Sequence, residues 1–231
     1  MQSLWIFGDS FSTTFEIKET DNQISNWRKE YIDWKGFLPK SFSEILSDKL
    51  NIHTNNQSCG GFDNYSIFET LIDNIDIIQP NDIIIIGWSS PIRYRLVNKE
   101  NKFNPLHTWW YSANEEALLK LGISQSTINE IFINRNENIS LYINEINSFI
   151  KIINKALSSN TIIHWTPFYE SKKNVLNVIS IPLLERIEDE TNLEITDAHF
   201  SERAHLLLSE YFLNIIKNLP QNKINLVYFI W

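Results

Sequence analysis

Cysteine is all but absent from this chain of 231 residues, which carries a single one, Cys59. A lone thiol closes no intramolecular disulfide, and zinc sites built on cysteine pairs are excluded with it. Glycine and proline are also scarce, at six and seven residues, which removes collagen-like, low-complexity and disordered classes. No apolar run approaches the roughly 20 residues of a bilayer span, the longest reaching only from Asp82 to Trp88. The opening MQSLWIFGDS lacks the basic and apolar regions of a secretory signal. A cytoplasmic location is the expectation, with association with a virion left open. Positive charge is in deficit, 20 Lys and Arg against 28 Asp and Glu for a net −8. Without a basic cluster to neutralise phosphates, nucleic acid is an unfavoured partner. The load of Asn, Ile and Lys fits the AT-rich genome of a phage or bacterium.

What is present suffices for one core. With 43% hydrophobic residues, a chain of this length buries roughly 70% of the surface its unfolded form exposes. A single domain over 1–231 is expected. Short β-rich runs at 3–7, 51–56, 82–87, 160–165 and 193–196 alternate with segments of helical period at 41–50, 65–75, 138–157 and 201–219. That alternation argues for βαβ units and a parallel sheet. The run at 82–87 is apolar on both faces, as in a central strand covered by helices. Ser41 followed by Glu44 reads as a capping box. Two stretches break the rhythm and read as insertions, at about 13–40 and 95–136; the second carries His107, Trp109, Trp110 and Tyr111, either an aromatic binding wall or a hydrophobic plug. The apolar segment 224–231 is a further strand or a tail.

In an open α/β sheet, ligands bind beyond the carboxyl ends of the strands. The residues there are GDSFS at 8–12, NQSCGGFDN at 56–64, GWSSPIR at 87–93 and DAHFS at 197–201. Together they contain the parts of an acyl-transfer site. A serine hydroxyl is a weak nucleophile until a histidine takes its proton, and the histidine needs a carboxylate or carbonyl to orient it. Ser10, His199 and Asp197 have the chemistry for those roles. A developing oxyanion needs preorganised donors, and the Gly60-Gly61 turn lets a backbone N–H approach closely.

In these ordered blocks the chain resembles the SGNH, or GDSL-type, hydrolases, a family of esterases, lipases and carbohydrate deacetylases. The resemblance implies a three-layer α/β/α sandwich with a five-stranded, mainly parallel, flavodoxin-like sheet. It also implies Ser10 as nucleophile, Asp197 and His199 as its triad partners, and the N–H groups of Ser10 and Gly61 as oxyanion donors. The implied activity is hydrolysis of a small-molecule or glycan ester, with no metal or organic cofactor. An acyltransferase using the same acyl-enzyme and a catalytically inactive glycan-binding module are the alternatives.

Two departures stand out. The family's third block ends in an asparagine whose side chain is another oxyanion donor, whereas this chain has Ser89 there. Ser89, Asn64 and Arg93 are the candidates to replace it. The spacing Asp197-Ala198-His199 is one residue shorter than usual, which leaves a backbone carbonyl as the other way of holding His199. Asn64, Trp88, Arg93 and His164 are candidate substrate contacts. Each residue also has an ordinary reading: Ser10 or Asp197 as a helix cap, Gly60-Gly61 as a plain turn, Arg93 in an ion pair, His164 in the core. Cys59 reads as a small buried residue, and His205, one turn into the last helix, as a supporting or surface histidine.

Overall fold

The apolar runs become strands that feed two cores at once. The computed structural model describes residues 2–15, 26–97, 103–106, 124–168, 178–180 and 199–218. In β1 (Ser3–Gly8), Leu4 and Ile6 point to one side of the sheet and Trp5 and Phe7 to the other. This is the period of two that a strand buried on both faces requires. Helix α1 spans Asn26–Lys35 and α2 Phe42–Leu50, followed by strand β2 (His53–Asn56) and helix α3 (Asn64–Asn74). Strand β3 (Ile83–Gly87) divides its isoleucines between the two cores in the same alternation. A small antiparallel pair, β4 (Tyr94–Val97) and β5 (Phe103–Leu106), precedes helices α4 (Gln125–Glu137) and α5 (Ile139–Ala156). Strands β6 (Thr161–Thr166) and β7 (Ile179–Ser180) and helix α6 (Glu202–Asn218) complete the described elements.

The main sheet is parallel, in the order β2-β1-β3-β6-β7. Phe42 and Leu46 of α2 join Ala204, Leu208 and Phe212 of α6 on one face. Ile67 and Leu71 of α3 join Ile146, Ile150 and Ile153 of α5 on the other. The result is the expected three-layer α/β/α sandwich.

One expected feature holds in detail. Ser41 caps α2 and forms the capping box with Glu44, each reaching the other's backbone N–H. Asp63 caps α3 by accepting from the Ser66 N–H at 2.8 Å. Three corrections concern boundaries and additions. Asn51, with φ +52°, terminates α2 in the left-handed region, so β2 begins two residues later than the sequence pattern suggests. The fifth place in the sheet is held by Ile179–Ser180, while the strand expected at 193–196 lies outside the described residues. The stretches expected as insertions contain α1, the β4–β5 pair and α4. Residues 107–111 and 224–231 also lie outside the described residues.

At the amino-terminal edge of the sheet Asp82 pins the central strands together. Its carboxylate accepts from the Ser3 N–H at 2.8 Å, the Trp5 indole N–H at 2.9 Å and the Gln79 N–H at 2.9 Å. With that edge tied, the loops gather at the opposite, carboxyl edge.

Candidate active site

The chain leaves β1 in a tight turn, closed by the Ser12 N–H donating to the Asp9 carbonyl at 2.9 Å. Ser10 occupies the first of the two central positions, half-buried. Residues 11–15 are not helical, so Ser10 is not a helix cap. Its backbone N–H and its hydroxyl make no hydrogen bond among the described residues. The turn is braced around it. Asp9 Oδ1 accepts from the Phe11 N–H at 3.0 Å, and the Ser10 carbonyl accepts from Thr13 Oγ1 at 3.0 Å.

A second turn, Cys59 to Phe62, lies against the first. The Cys59 N–H donates to the Gly8 carbonyl at 3.1 Å, and the Phe62 N–H closes the turn onto the Cys59 carbonyl at 3.2 Å. Gly61, at φ +84°, takes the position where a side chain would be strained. A Cβ added at Gly60 would sit 3.9 Å from the Ser10 Cβ, which measures how closely the turns approach. The Gly61 N–H donates to nothing among the described residues. Cys59 is exposed rather than buried as expected, because it stands at the outer corner of this turn. Asn56, which the sequence reading passed over, links the loops: its Nδ2 donates to the Ser12 carbonyl at 2.8 Å and its Oδ1 accepts from the Ser58 N–H at 2.9 Å.

The third segment follows β3. Asn64 grips it, accepting the Ser89 N–H on Oδ1 at 2.8 Å and donating Nδ2 to the Ser89 and Ser90 carbonyls at 3.1 and 3.2 Å. Ser89 is fully buried, and its hydroxyl has no partner among the described residues. Arg93 is also buried. One of its nitrogens, Nη1, donates to Asp9 Oδ2 at 2.9 Å and to the Phe62 carbonyl at 3.0 Å. Burial draws the guanidinium below its usual pKa, with the Asp9 carboxylate offsetting part of the effect. Arg135 of α4, a residue without a sequence signal, clamps the same turn through the carbonyls of Pro91, Ile92 and Arg93 while stacking on Tyr142. A cavity of about 220 Å³ opens beside it, bordered by Asp63, Tyr65, Arg93, Arg135, Tyr142 and Glu145.

Of the histidines, His199 is half-buried against Phe11, the residue after Ser10, with ring centroids 5.2 Å apart. Asp197 lies outside the described residues. His205 is buried, its Nδ1 accepting from the Phe42 N–H at 3.2 Å; burial, and then the neighbouring His199, push its pKa down to about 3. It is neither a surface residue nor accessible as a base. His164 is likewise buried, with its pKa lowered by burial to about 3. Its Nδ1 accepts from the Trp88 indole N–H at 3.1 Å, so Nε2 carries the proton and donates to Asn154 Oδ1 at 3.0 Å. Trp88 is fully buried beside it. The residues nominated as substrate contacts, Asn64, Trp88, Arg93 and His164, are thus all buried, each with at least one side-chain hydrogen bond to a protein partner.

No family model and no curated protein matches the chain. Among solved structures, a carbohydrate esterase, described as having an active site with divergent catalytic and non-catalytic binding functions, matches with a TM-score of 0.49 at 11% identity, over 96% of this chain and 70% of that one. The acetyl xylan esterase Est2A from the rumen bacterium Butyrivibrio proteoclasticus matches with a TM-score of 0.46 at 13% identity, over 94% of this chain and 64% of that one. The psychrotrophic esterase EstA from Pseudoalteromonas sp. gives 0.46 at 11% identity, over 94% and 97%. Each similarity is one of backbone path at low sequence identity.

Proposed function

We propose that this chain is a serine hydrolase that cleaves an O-acyl ester through a Ser10 acyl-enzyme. The observation that carries the reading is a set of uncommitted groups on one rim. The half-buried Ser10 hydroxyl has no hydrogen-bond partner among the described residues, and neither do the N–H groups of Ser10 and Gly61 or the hydroxyl of Ser89. The Ser89 hydroxyl is buried as well as unpartnered, a state in which folded proteins seldom leave a polar group, and an oxyanion site is one place where donors must wait for a ligand. Among the three candidates for the missing asparagine, Asn64 has its Nδ2 donor and Arg93 its Nη1 donor engaged on protein acceptors. That favours Ser89.

In the reaction, His199 takes the Ser10 proton as Oγ bonds to the acyl carbon. The tetrahedral oxyanion accepts hydrogen bonds from the N–H groups of Ser10 and Gly61 and from the Ser89 hydroxyl. Collapse expels the alcohol, which leaves with the proton from His199. Water, deprotonated by His199, then attacks the acyl carbon; the bond to Oγ breaks, the acid is released, and His199 returns the proton to Ser10. Asp197 orients His199 and stabilises its charged form. His205 is a poor alternative base, since its Nδ1 is engaged by a backbone amide and its pKa is about 3. The chemistry needs no metal or organic cofactor. Small O-acyl esters, including acetyl esters of carbohydrates, are the proposed substrates, and an alcohol replacing water would make the same site an acyltransferase.

The test is intact-mass analysis after exposure to a fluorophosphonate, beside hydrolysis of short-chain p-nitrophenyl esters. One adduct in the wild type, lost in Ser10→Ala along with turnover, is the expected result. The serine at position 89 in place of an amide favours a second reading, a glycan-binding module without catalysis. A folded wild type that takes no adduct and turns over no ester would support it and overturn the first.

A further inference from the structure

We infer that Arg93 is a positioning residue that holds the Ser10 and Gly61 turns in fixed relation and so sets the geometry of the oxyanion donors, an inference that rests on the hydrolase reading above. A single nitrogen makes the connection. Arg93 Nη1 reaches Asp9 Oδ2 at 2.9 Å and the Phe62 carbonyl at 3.0 Å. The other oxygen of Asp9 accepts from the Phe11 N–H, so the carboxylate grips the peptide that follows Ser10. The Phe62 carbonyl belongs to the residue that follows Gly61 and closes its turn. Two hydrogen bonds from one atom therefore join the segments bearing two of the proposed donors.

The third segment is tied at the same point. The Arg93 N–H donates to the Ser90 carbonyl at 3.1 Å, closing the turn that begins immediately after Ser89. Its carbonyl accepts from Arg135 Nη2 at 3.1 Å, so the base of the side chain is anchored to α4. Loops after β1, β2 and β3 thus meet at one guanidinium.

Stability alone is a weak reason for this pair. The side chains of Arg93 and Asp9 are 2% and 1% exposed, and removing two charges from water costs about as much as their attraction returns. What a buried ion pair does provide is direction, because each partner is strongly penalised for leaving the other. An oxyanion site needs donors held within a few tenths of an ångström of their working positions.

The experiment compares wild type with Arg93→Met, Arg93→Lys and the double variant Asp9→Asn/Arg93→Met. In each, kcat and KM for p-nitrophenyl acetate are measured per active site, with sites counted by fluorophosphonate adduct mass, and the melting temperature is recorded. Arg93→Met is expected to lower kcat on the order of 10²-fold while KM stays within about threefold, as for the loss of a transition-state contact. Because one nitrogen makes both bonds, a lysine ammonium can replace it in part, and Arg93→Lys should recover about tenfold of that loss. Should Arg93→Met fail to fold with Asp9 unpaired, the double variant removes both charges of the pair and should show the same loss of kcat. A variant that melts lower but keeps kcat per labelled site within about twofold of wild type would overturn the inference, as would a rise in KM at constant kcat. A folded wild type with neither adduct nor turnover is a different failure: it removes the hydrolase reading and the positioning role with it.

Discussion

Gly8 and Gly87 are register partners across the β1–β3 ladder, and the side chain of Ser12 fills the space that a Cβ on either would need. At Gly87 such a Cβ would also come within 2.9 Å of the Trp165 indole nitrogen. Both glycines are therefore required by close approach, and Ser12 belongs to the turn that carries Ser10. Gly87→Ala should overpack this contact and cost about 1–3 kcal/mol. Urea unfolding reads the loss, and the rate of fluorophosphonate labelling should fall as Ser12 is displaced. Wild-type stability and labelling would show that Ser12 has another rotamer to occupy.

The Asn64 clamp leads to a second expectation. Asn64→Ala leaves the buried Ser89 N–H and two carbonyls without their present partner, for a loss of about 1–3 kcal/mol. Asn64→Asp keeps the acceptor but sets a carboxylate against the two carbonyls, so it should rescue nothing. Denaturant midpoints of the two variants decide the matter: recovery by Asp would mean that the Ser89 N–H bond alone holds this turn.

The sandwich is legible in the sequence because its central strands are buried on both faces, so that the apolar runs at 3–7 and 82–87 need no partner to be recognised. The rim follows from the rule that ligands bind at the carboxyl ends of parallel strands. The braces of the rim are a different kind of information. Arg93 and Asp9 are 84 positions apart and Asn64 and Ser89 are 25 apart, so only the sheet order brings them together. In helix α1 Tyr31 is fully buried while Trp34 on the following turn is exposed, so its aromatics do not mark one buried face. Two residues of β7 are too few to show alternation.

Ser89→Ala tests the third donor directly. If its hydroxyl meets the oxyanion only as charge develops, kcat should fall by about 10-fold or more while KM changes little. Removing a buried hydroxyl that has no partner in the resting protein should leave the unfolding free energy near wild type or raise it. An unchanged kcat for p-nitrophenyl acetate would leave the oxyanion to the two backbone donors.

His164 and His205 give the fold a defined response to acid. Burial holds both near a pKa of about 3, whereas in the unfolded chain each titrates near 6.5. Between those values the unfolded chain binds protons that the folded chain excludes, so stability falls as pH drops below about 6.5 and levels off near pH 3. From pH 7 to pH 5 the loss should be on the order of 2 kcal/mol for each histidine. His164→Gln can still accept from the Trp88 indole but has no proton to gain, so its unfolding free energy should fall less steeply over that interval. Urea titrations of wild type and variant at pH 7, 6 and 5 measure the two slopes. Parallel slopes would mean that His164 takes up its proton in the folded state as readily as in the unfolded one, against the dry, fully hydrogen-bonded site between Trp88 and Asn154.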